Sequence, residues 1–424
     1  MINPPINDID LNFHNETSTY ATHAIHAFAA KFPPQLPRTF IEMLTNPGDV
    51  ILDPMNGSGT TTLEAYLLNR FGIGCDIDPL AIKIAKAKVT RLNIDGSEIA
   101  EEVCEYAKNL LINEPFLLRE ALEQRFDEKT KEFINYWFLP ETQMELMSLM
   151  LSIERFERDT PLREFLEVIF SSIIVTKSGG VTRARDLAHS RPHLDINKVP
   201  QNAIDMYQKR LLKFATVVSE LPDHEPRPII LSCDTKNLEL PSDSVDLVVT
   251  SPPYANAIDY MRAHKFSLVW FGIPITQLSN LRKIYIGSES TSKSNLVILP
   301  PFTESILEKL GNIDSRKEAI LRKYYSEMRE AIAEMFRVLK PGHYAILVVG
   351  TSTMRGVDVK TPYCLADIAE KDVGFHVVDI KSRELDRNRR MLPVRNGVTN
   401  NKSVIEQRMH TEEVIILRKP ALEY

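Results

Sequence analysis

An eight-residue loop, Asp53-Pro-Met-Asn-Gly-Ser-Gly-Thr60, sets the tightest limits on the architecture. It follows the apolar run Asp49-Val-Ile-Leu52 and leads into a helical stretch ending near Asn69; a second run, Phe71-Gly-Ile-Gly-Cys75, and a helix from Pro79 come next. Short apolar runs alternating with helices predict a parallel, doubly wound α/β sheet, because parallel neighbours need a crossover between them. Ligands of such sheets bind at the C-terminal strand ends. Two glycines at the strand-to-helix turn let backbone approach a ligand closely, and the helix start offers free N–H groups. The Gly-Lys-Ser/Thr ending of a phosphate loop is missing. A nucleotide-like ligand without phosphate and with a zwitterionic amino-acid tail fits the N–H groups and the Asp53 carboxylate. Asp76, ending the next strand, is placed like an acid that accepts from ribose hydroxyls. Alone, a Gly-rich turn is equally ordinary punctuation between strand and helix.

Residues 97 to 171 break the alternation: they are helix-forming, with 17 Asp/Glu against 8 Lys/Arg between Glu98 and Glu167, a balance that disfavours DNA contact there. Lys177 to Lys213 reverses the sign with eight Lys/Arg against three Asp, as a basic loop followed by a helix. The α/β pattern resumes at Ile229 to Leu231 and Val245 to Thr250. A helix follows with apolar positions Met328, Ile332, Met335, Phe336 and Leu339, stopped by Lys340-Pro-Gly342. Strands at Ala345 to Val349, Phe375 to Ile380 and Glu413 to Leu417 bring the expected total to about seven. The expected division is 1–96 for the N-terminal segment and cofactor half, 97–225 for a mainly helical insertion, and 226–424 for the catalytic half.

Thr250-Ser-Pro-Pro-Tyr254 ends the strand that begins at Val245. Two prolines there remove two backbone donors and stiffen the chain, fixing carbonyls outward. Ser251 adds a hydroxyl and Tyr254 a ring, giving acceptors for an exocyclic amine and a face for a planar base. The plainer alternative is a rigid strand-ending turn with a core tyrosine.

The Asp53-Pro-x-x-Gly-Ser-Gly-Thr-Thr61 loop, Asp76, the segment Asp234 to Asp246 and Thr250-Ser-Pro-Pro-Tyr254 together resemble the amino-methyltransferases of DNA, specifically the N4-cytosine group. His26-Ala-Phe-Ala-Ala-Lys-Phe-Pro-Pro-Gln-Leu-Pro37 is similar to the family's N-terminal cofactor segment. The resemblance covers most of 23–92 and 229–417. It implies a Rossmann-like seven-stranded fold dependent on S-adenosylmethionine. In that reading Asp53, Pro54, Gly57, Gly59 and Thr60 approach the methionine part, Asp76 holds the ribose, Asp234 reaches the adenine and Phe32 packs beside the cofactor. A cytosine flipped from duplex DNA would present its amine to Ser251 and the Pro252 carbonyl, with Pro253 stiffening the turn and Tyr254 stacking on the ring. No cysteine follows a proline, so the Pro-Cys nucleophile of ring-carbon methylation is absent. The family's recognition region more often follows the adenine-contacting acid, which makes residues 271–320 a rival to the insertion. Adenine N6 or an RNA amine keeps the same chemistry, and a catalytically inactive DNA-binding regulator is the reading from another class.

Specificity would come from Arg183, Arg185, Arg191 and His193 in the basic loop, since Arg binds phosphate or reads guanine bidentately. Arg387, Arg389 and Arg390 lie in a second run, Lys381 to Arg395, with six Lys/Arg against two acids. Both runs could instead pair with nearby acids or form a solvated face. Across the chain, 51 Lys+Arg against 57 Asp+Glu give a net charge of −6, so any nucleic-acid surface is local. Four scattered cysteines, Cys75, Cys104, Cys233 and Cys364, argue against structural zinc and against a disulfide framework. No metal is expected, and no signal or membrane segment is legible, so a cytoplasmic protein is expected. Its partners would be double-stranded DNA and a cognate restriction endonuclease.

Overall fold

A computed structural model describes residues 9–14, 16–176, 179–185, 187, 192–255, 259–288, 297–385 and 411–421. Its centre is a seven-stranded sheet of β1 (Val50–Asp53), β2 (Phe71–Asp76), β3 (Ile229–Ser232), β4 (Val245–Thr250), β5 (Leu339–Gly350), β6 (His376–Glu384) and β7 (Thr411–Arg418). The strand order is β3-β2-β1-β4-β5-β7-β6. The first five of these are parallel, and β7 enters antiparallel between β5 and β6. The order reverses between β1 and β4, so a crevice opens at their C-terminal ends, beside Asp53 and Thr250.

Alternation along the central strands divides the core. Ile51, Leu247, Val249, Ile346 and Val348 pack on one face with Phe32, Leu36 and Phe40, the last two on α1 (Gln35–Leu44). Leu52, Val248, Ala345 and Leu347 face the other way, onto Met328, Ile332 and Met335 of α13 (Ser315–Val338). Both faces being covered explains why these strands read as continuous apolar runs. The long helix stops at Val338, before the Pro341-Gly342 pair, which lies inside the start of β5.

Helix α2 (Thr60–Leu67) follows the glycine loop and α3 (Pro79–Val89) follows β2. Six helices then occupy the insertion: α4 (Gly96–Asn113), α5 (Pro115–Arg125), α6 (Glu128–Trp137), α7 (Pro140–Ile153), α8 (Pro161–Ile174) and α9 (Ala203–Ser219). Their apolar faces share one core with Leu80 and Ile84 of α3 and with Phe266 and Trp270. Two helices, α10 (Met261–Leu268) and α11 (Ile275–Ile284), follow β4; α12 (Pro301–Gly311) and α14 (Thr361–Ile368) flank α13. Among the described residues no helix is long and apolar enough to cross a membrane.

The N-terminal segment is pinned by a buried carboxylate. Glu64 of α2 accepts from His23 Nε2 at 2.6 Å, Tyr20 hydroxyl at 2.7 Å and Arg38 Nε at 3.1 Å. Burial pushes its pKa up to about 7, and three donors offset much of the desolvation. His26, also buried, bonds Ser171 at 2.8 Å and so joins the segment to α8.

Cys75 and Cys233 stand side by side, with their Cα atoms 5.7 Å apart. The parallel register of β2 and β3, which sets Cys75 beside Leu231, brings together two residues 158 apart in sequence.

Candidate active site

Asp53, Asp76 and Thr250 end three neighbouring strands, and a cavity of about 350 Å³ opens over them. Its lining includes most of the expected cofactor residues: Phe32, Asp53, Pro54, Gly57, Thr60, Asp76 and Asp234. Ser251 and Pro253 line the same space, so both loops meet in one site. A single bond ties them: Thr250 Oγ1 donates to Asp53 Oδ1 at 2.6 Å.

Asp53 is buried, and its desolvation raises its pKa to about 7 despite bonds from Thr250 and the Met55 N–H. Asp76 is raised to about 6, chiefly by burial and then by the charge of Asp78. Its two oxygens accept from the Gly57 N–H at 2.7 Å and the Asp78 N–H at 2.9 Å, which locks the glycine loop to the end of β2. Two carboxylates under such pressure are poised to accept donors from a ligand. Three buried polar atoms in the lining, Asn56 Nδ2, Thr60 Oγ1 and Thr235 Oγ1, lack a hydrogen-bond partner among the described residues. Buried polar groups are seldom left so, and this donor and acceptor set fits a ligand with amino, carboxylate and hydroxyl groups.

The two glycines divide their tasks. Gly57 (φ +47°) lies under the Phe28 ring, 3.2 Å from where a Cβ would stand, and lines the cavity. Gly59 does not line it: at φ +75° its Cβ position is 2.9 Å from Ala85 Cβ, so it permits close approach of α2 and α3. Gly59 thus serves the packing of α2 on α3.

Ser251 Oγ donates to the Val348 carbonyl at 3.0 Å, which leaves its oxygen lone pairs as acceptors. Tyr254 departs from expectation. It lies outside the cavity lining, buried, and its hydroxyl donates to Glu412 Oε1 at 2.5 Å. Arg383 Nη1, also buried, bonds Glu412 Oε2 at 2.6 Å. A phenol in the core needs an acceptor, and β7 supplies it, so the ring buttresses the turn instead of offering the cavity a stacking face. Pro252 is buried beside it and does not line the cavity.

Several lining residues were not anticipated. Phe28, Tyr260 and His264 form an aromatic wall, with Phe28 and Tyr260 stacked at 5.4 Å between centroids. Asp78 caps α3 and accepts from His264 Nδ1 at 2.7 Å and Tyr285 hydroxyl at 3.0 Å. Burial alone would raise Asp78, but His264 and the donated bonds outweigh it and hold its carboxyl below the ordinary range. The Asp78-Pro79 pair signals a helix cap; nothing in the sequence signals its partners, His264 on α10 and Tyr285 just past α11.

The expected DNA contacts lie elsewhere. Arg183 is committed to α6, its Nη2 donating to the Asn135 and Tyr136 carbonyls. That nitrogen therefore closes the end of a helix. Arg185 is exposed but paired with Asp195 at 2.6 Å, across a two-residue ladder of Ala184–Arg185 with His193–Leu194. His193 is exposed there. Arg191, Arg387, Arg389 and Arg390 lie outside the described residues. No group of three or more metal-ligating side chains occurs among the described residues.

Comparison with known proteins agrees with this geometry. The DNA methylase family model matches residues 5–87 and 245–419, leaving 88–244, which hold most of the helical insertion, unmatched. The Type II methyltransferase M.MvaI of Kocuria varians is 25% identical over 438 residues, covering 96% of this chain and 93% of its own. The Type II methyltransferase M.BsoBI of Geobacillus stearothermophilus is 24% identical over 380 residues, 78% of this chain and 74% of its own. A solved SAM-dependent methyltransferase from Methanosarcina mazei aligns over 89% of this chain and 96% of its own at 12% identity and a TM-score of 0.32, values too low to bear on function. The chain belongs to the DNA methylase family and is an S-adenosylmethionine-dependent DNA amino-methyltransferase.

Proposed function

We propose that the protein methylates the exocyclic N4 amine of a cytosine flipped out of double-stranded DNA, as the modification enzyme of a restriction-modification system. S-adenosylmethionine supplies the electrophilic sulfonium methyl. Asp53 would accept from its ammonium group, the loop N–H groups and Thr60 would meet its carboxylate, and Asp76 and Asp234 would take the ribose and adenine. The amine is the harder half, because its lone pair is delocalised into the ring. Two acceptors aimed at its N–H bonds favour a pyramidal nitrogen and stabilise the charge that develops on transfer. Ser251 Oγ, which lines the cavity, would be one of those acceptors; the Pro252 carbonyl, expected as the other, belongs to a residue outside the lining.

The observation that carries the cytosine reading is the Ser251 hydroxyl, whose own proton is given to Val348, 3.0 Å away. An Asp at this position, commoner in adenine-modifying relatives, would bring a carboxylate against that carbonyl with no proton between them. Tyr254, held by Glu412, would fix the turn from behind. A cognate endonuclease sharing the recognition sequence would be the expected partner of such an enzyme.

The test is expression in a bacterial host free of endogenous DNA methylation, followed by nucleoside mass analysis of its genomic DNA. N4-methylcytosine with the wild type and none with Asp53→Ala is the expected result. N6-methyladenine would refute the Ser251 argument, and modified RNA alone would refute DNA as the substrate.

A further inference from the structure

The floor of the cavity is acidic. Asp53 and Asp78 are buried in its floor, beside half-buried Asp76. Arg262 of α10 and Arg282 of α11 also line it, but with 33% and 47% of their side chains exposed they stand at its open end. Nε of each comes within ion-pair distance of the same oxygen, Asp259 Oδ2, at 3.0 and 2.5 Å, without a hydrogen bond to it. Two guanidiniums on one carboxylate leave a net positive charge. Neither has another ion partner among the described residues.

This arrangement suits two ligands of opposite charge. A sulfonium amino acid is a net cation and matches a carboxylate floor. A DNA strand delivering a base to that floor is repelled by it unless cations stand at the mouth. Asp259 Oδ2 accepts no hydrogen bond from either arginine, so their guanidinium N–H groups are left to a ligand such as phosphate, which guanidinium binds well. The helix carrying Arg262 opens shortly after the Ser-Pro-Pro-Tyr turn, which puts the pair beside the point of base entry.

We propose that Arg262 and Arg282 form a phosphate-binding rim that engages the phosphodiesters flanking the flipped nucleotide. The inference rests on DNA as the substrate, and it assigns the anchoring of the reacting strand to this rim and not to Arg183, which is committed to α6.

The experiment titrates a short fluorescein-labelled duplex with full-length protein, S-adenosylhomocysteine present, over a series of salt concentrations. Arg262→Gln and Arg282→Gln should each weaken binding several-fold and reduce the salt slope by about 0.9 for each phosphate no longer neutralised. Calorimetric affinity for S-adenosylhomocysteine should not change. Arg262→Lys and Arg282→Lys keep a phosphate-binding charge and should retain the wild-type slope. An unchanged slope in the Gln variants, with the wild type active on DNA, overturns the rim alone. Equal loss of cofactor affinity with an unchanged melting temperature overturns it in favour of a cofactor clamp. A wild type that neither binds nor methylates DNA overturns the functional reading beneath it.

Discussion

Lowering the pH should weaken cofactor binding by an amount set by two desolvated carboxylates. Asp53 must be ionised to pair with the cofactor ammonium, and burial places its pKa near 7 in the free protein. Its ionised fraction therefore falls from about 0.76 at pH 7.5 to about 0.09 at pH 6, weakening binding about eightfold. Asp76, near 6, contributes a further factor of about two over the same range. Together these give about sixteenfold, or about 1.6 kcal/mol. The sign follows from linkage: the cofactor binds the deprotonated forms, so binding releases protons, and affinity rises with pH to a plateau above 7. Calorimetry with S-adenosylhomocysteine in buffers of different ionisation enthalpy measures both quantities. About 1.4 protons should be released per cofactor at pH 6, if both groups are ionised in the complex. Asp53→Asn should bind weakly and lose most of the pH dependence. Equal affinity at pH 7.5 and 6, or an Asn variant with the wild-type profile, would refute the assignment of Asp53 to the ammonium.

Four further outcomes are expected. Because burial raises Asp53 from its unfolded value of 3.8 to about 7, its contribution to stability is fully present below 3.8 and lost as pH rises through 7; Asp53→Asn should raise the cofactor-free melting temperature at pH 8 while weakening binding. Ser251→Ala removes one acceptor and should lower kcat about a hundredfold with cofactor affinity unchanged, and Ser251→Asp should lower the melting temperature through its clash with the Val348 carbonyl, read by calorimetric scanning. Gly74→Ala would place a Cβ 2.5 Å from the Asn56 side chain, so the loop must shift and cofactor affinity should fall in a thermal-shift titration. Arg383→Met strands the buried Glu412 and should cost about 3–5 kcal/mol in denaturant unfolding, whereas Tyr254→Phe, which keeps that ion pair, should cost about 1–3 kcal/mol.

The sheet was legible because strands covered on both faces leave apolar runs, as Val245 to Thr250 does, with all six residues buried. The cofactor loop was legible because glycine and acid spacing at a strand end carries local chemistry. Contacts between distant segments left no such trace. Tyr254 and Glu412 are 158 residues apart, and His264 and Asp78 are 186 apart. A tyrosine after two prolines reads as a stacking ring until the strand that accepts its hydroxyl is in place. The same holds for Arg183: a basic residue in a glycine-flanked loop looks free, but the open carbonyls at the end of α6 claim it. Gly59 shows a subtler limit, since its spacing is that of a ligand loop while the atoms against it belong to α3.

The most direct measurement incubates purified protein with methyl-labelled S-adenosylmethionine and unmethylated bacterial DNA, then identifies the labelled nucleoside by mass. Label in N4-methylcytosine, formed about a hundredfold more slowly with Ser251→Ala, is the expected result. Label in N6-methyladenine would contradict the role given to the Ser251 hydroxyl, and no label in DNA or RNA would contradict catalysis at this site altogether.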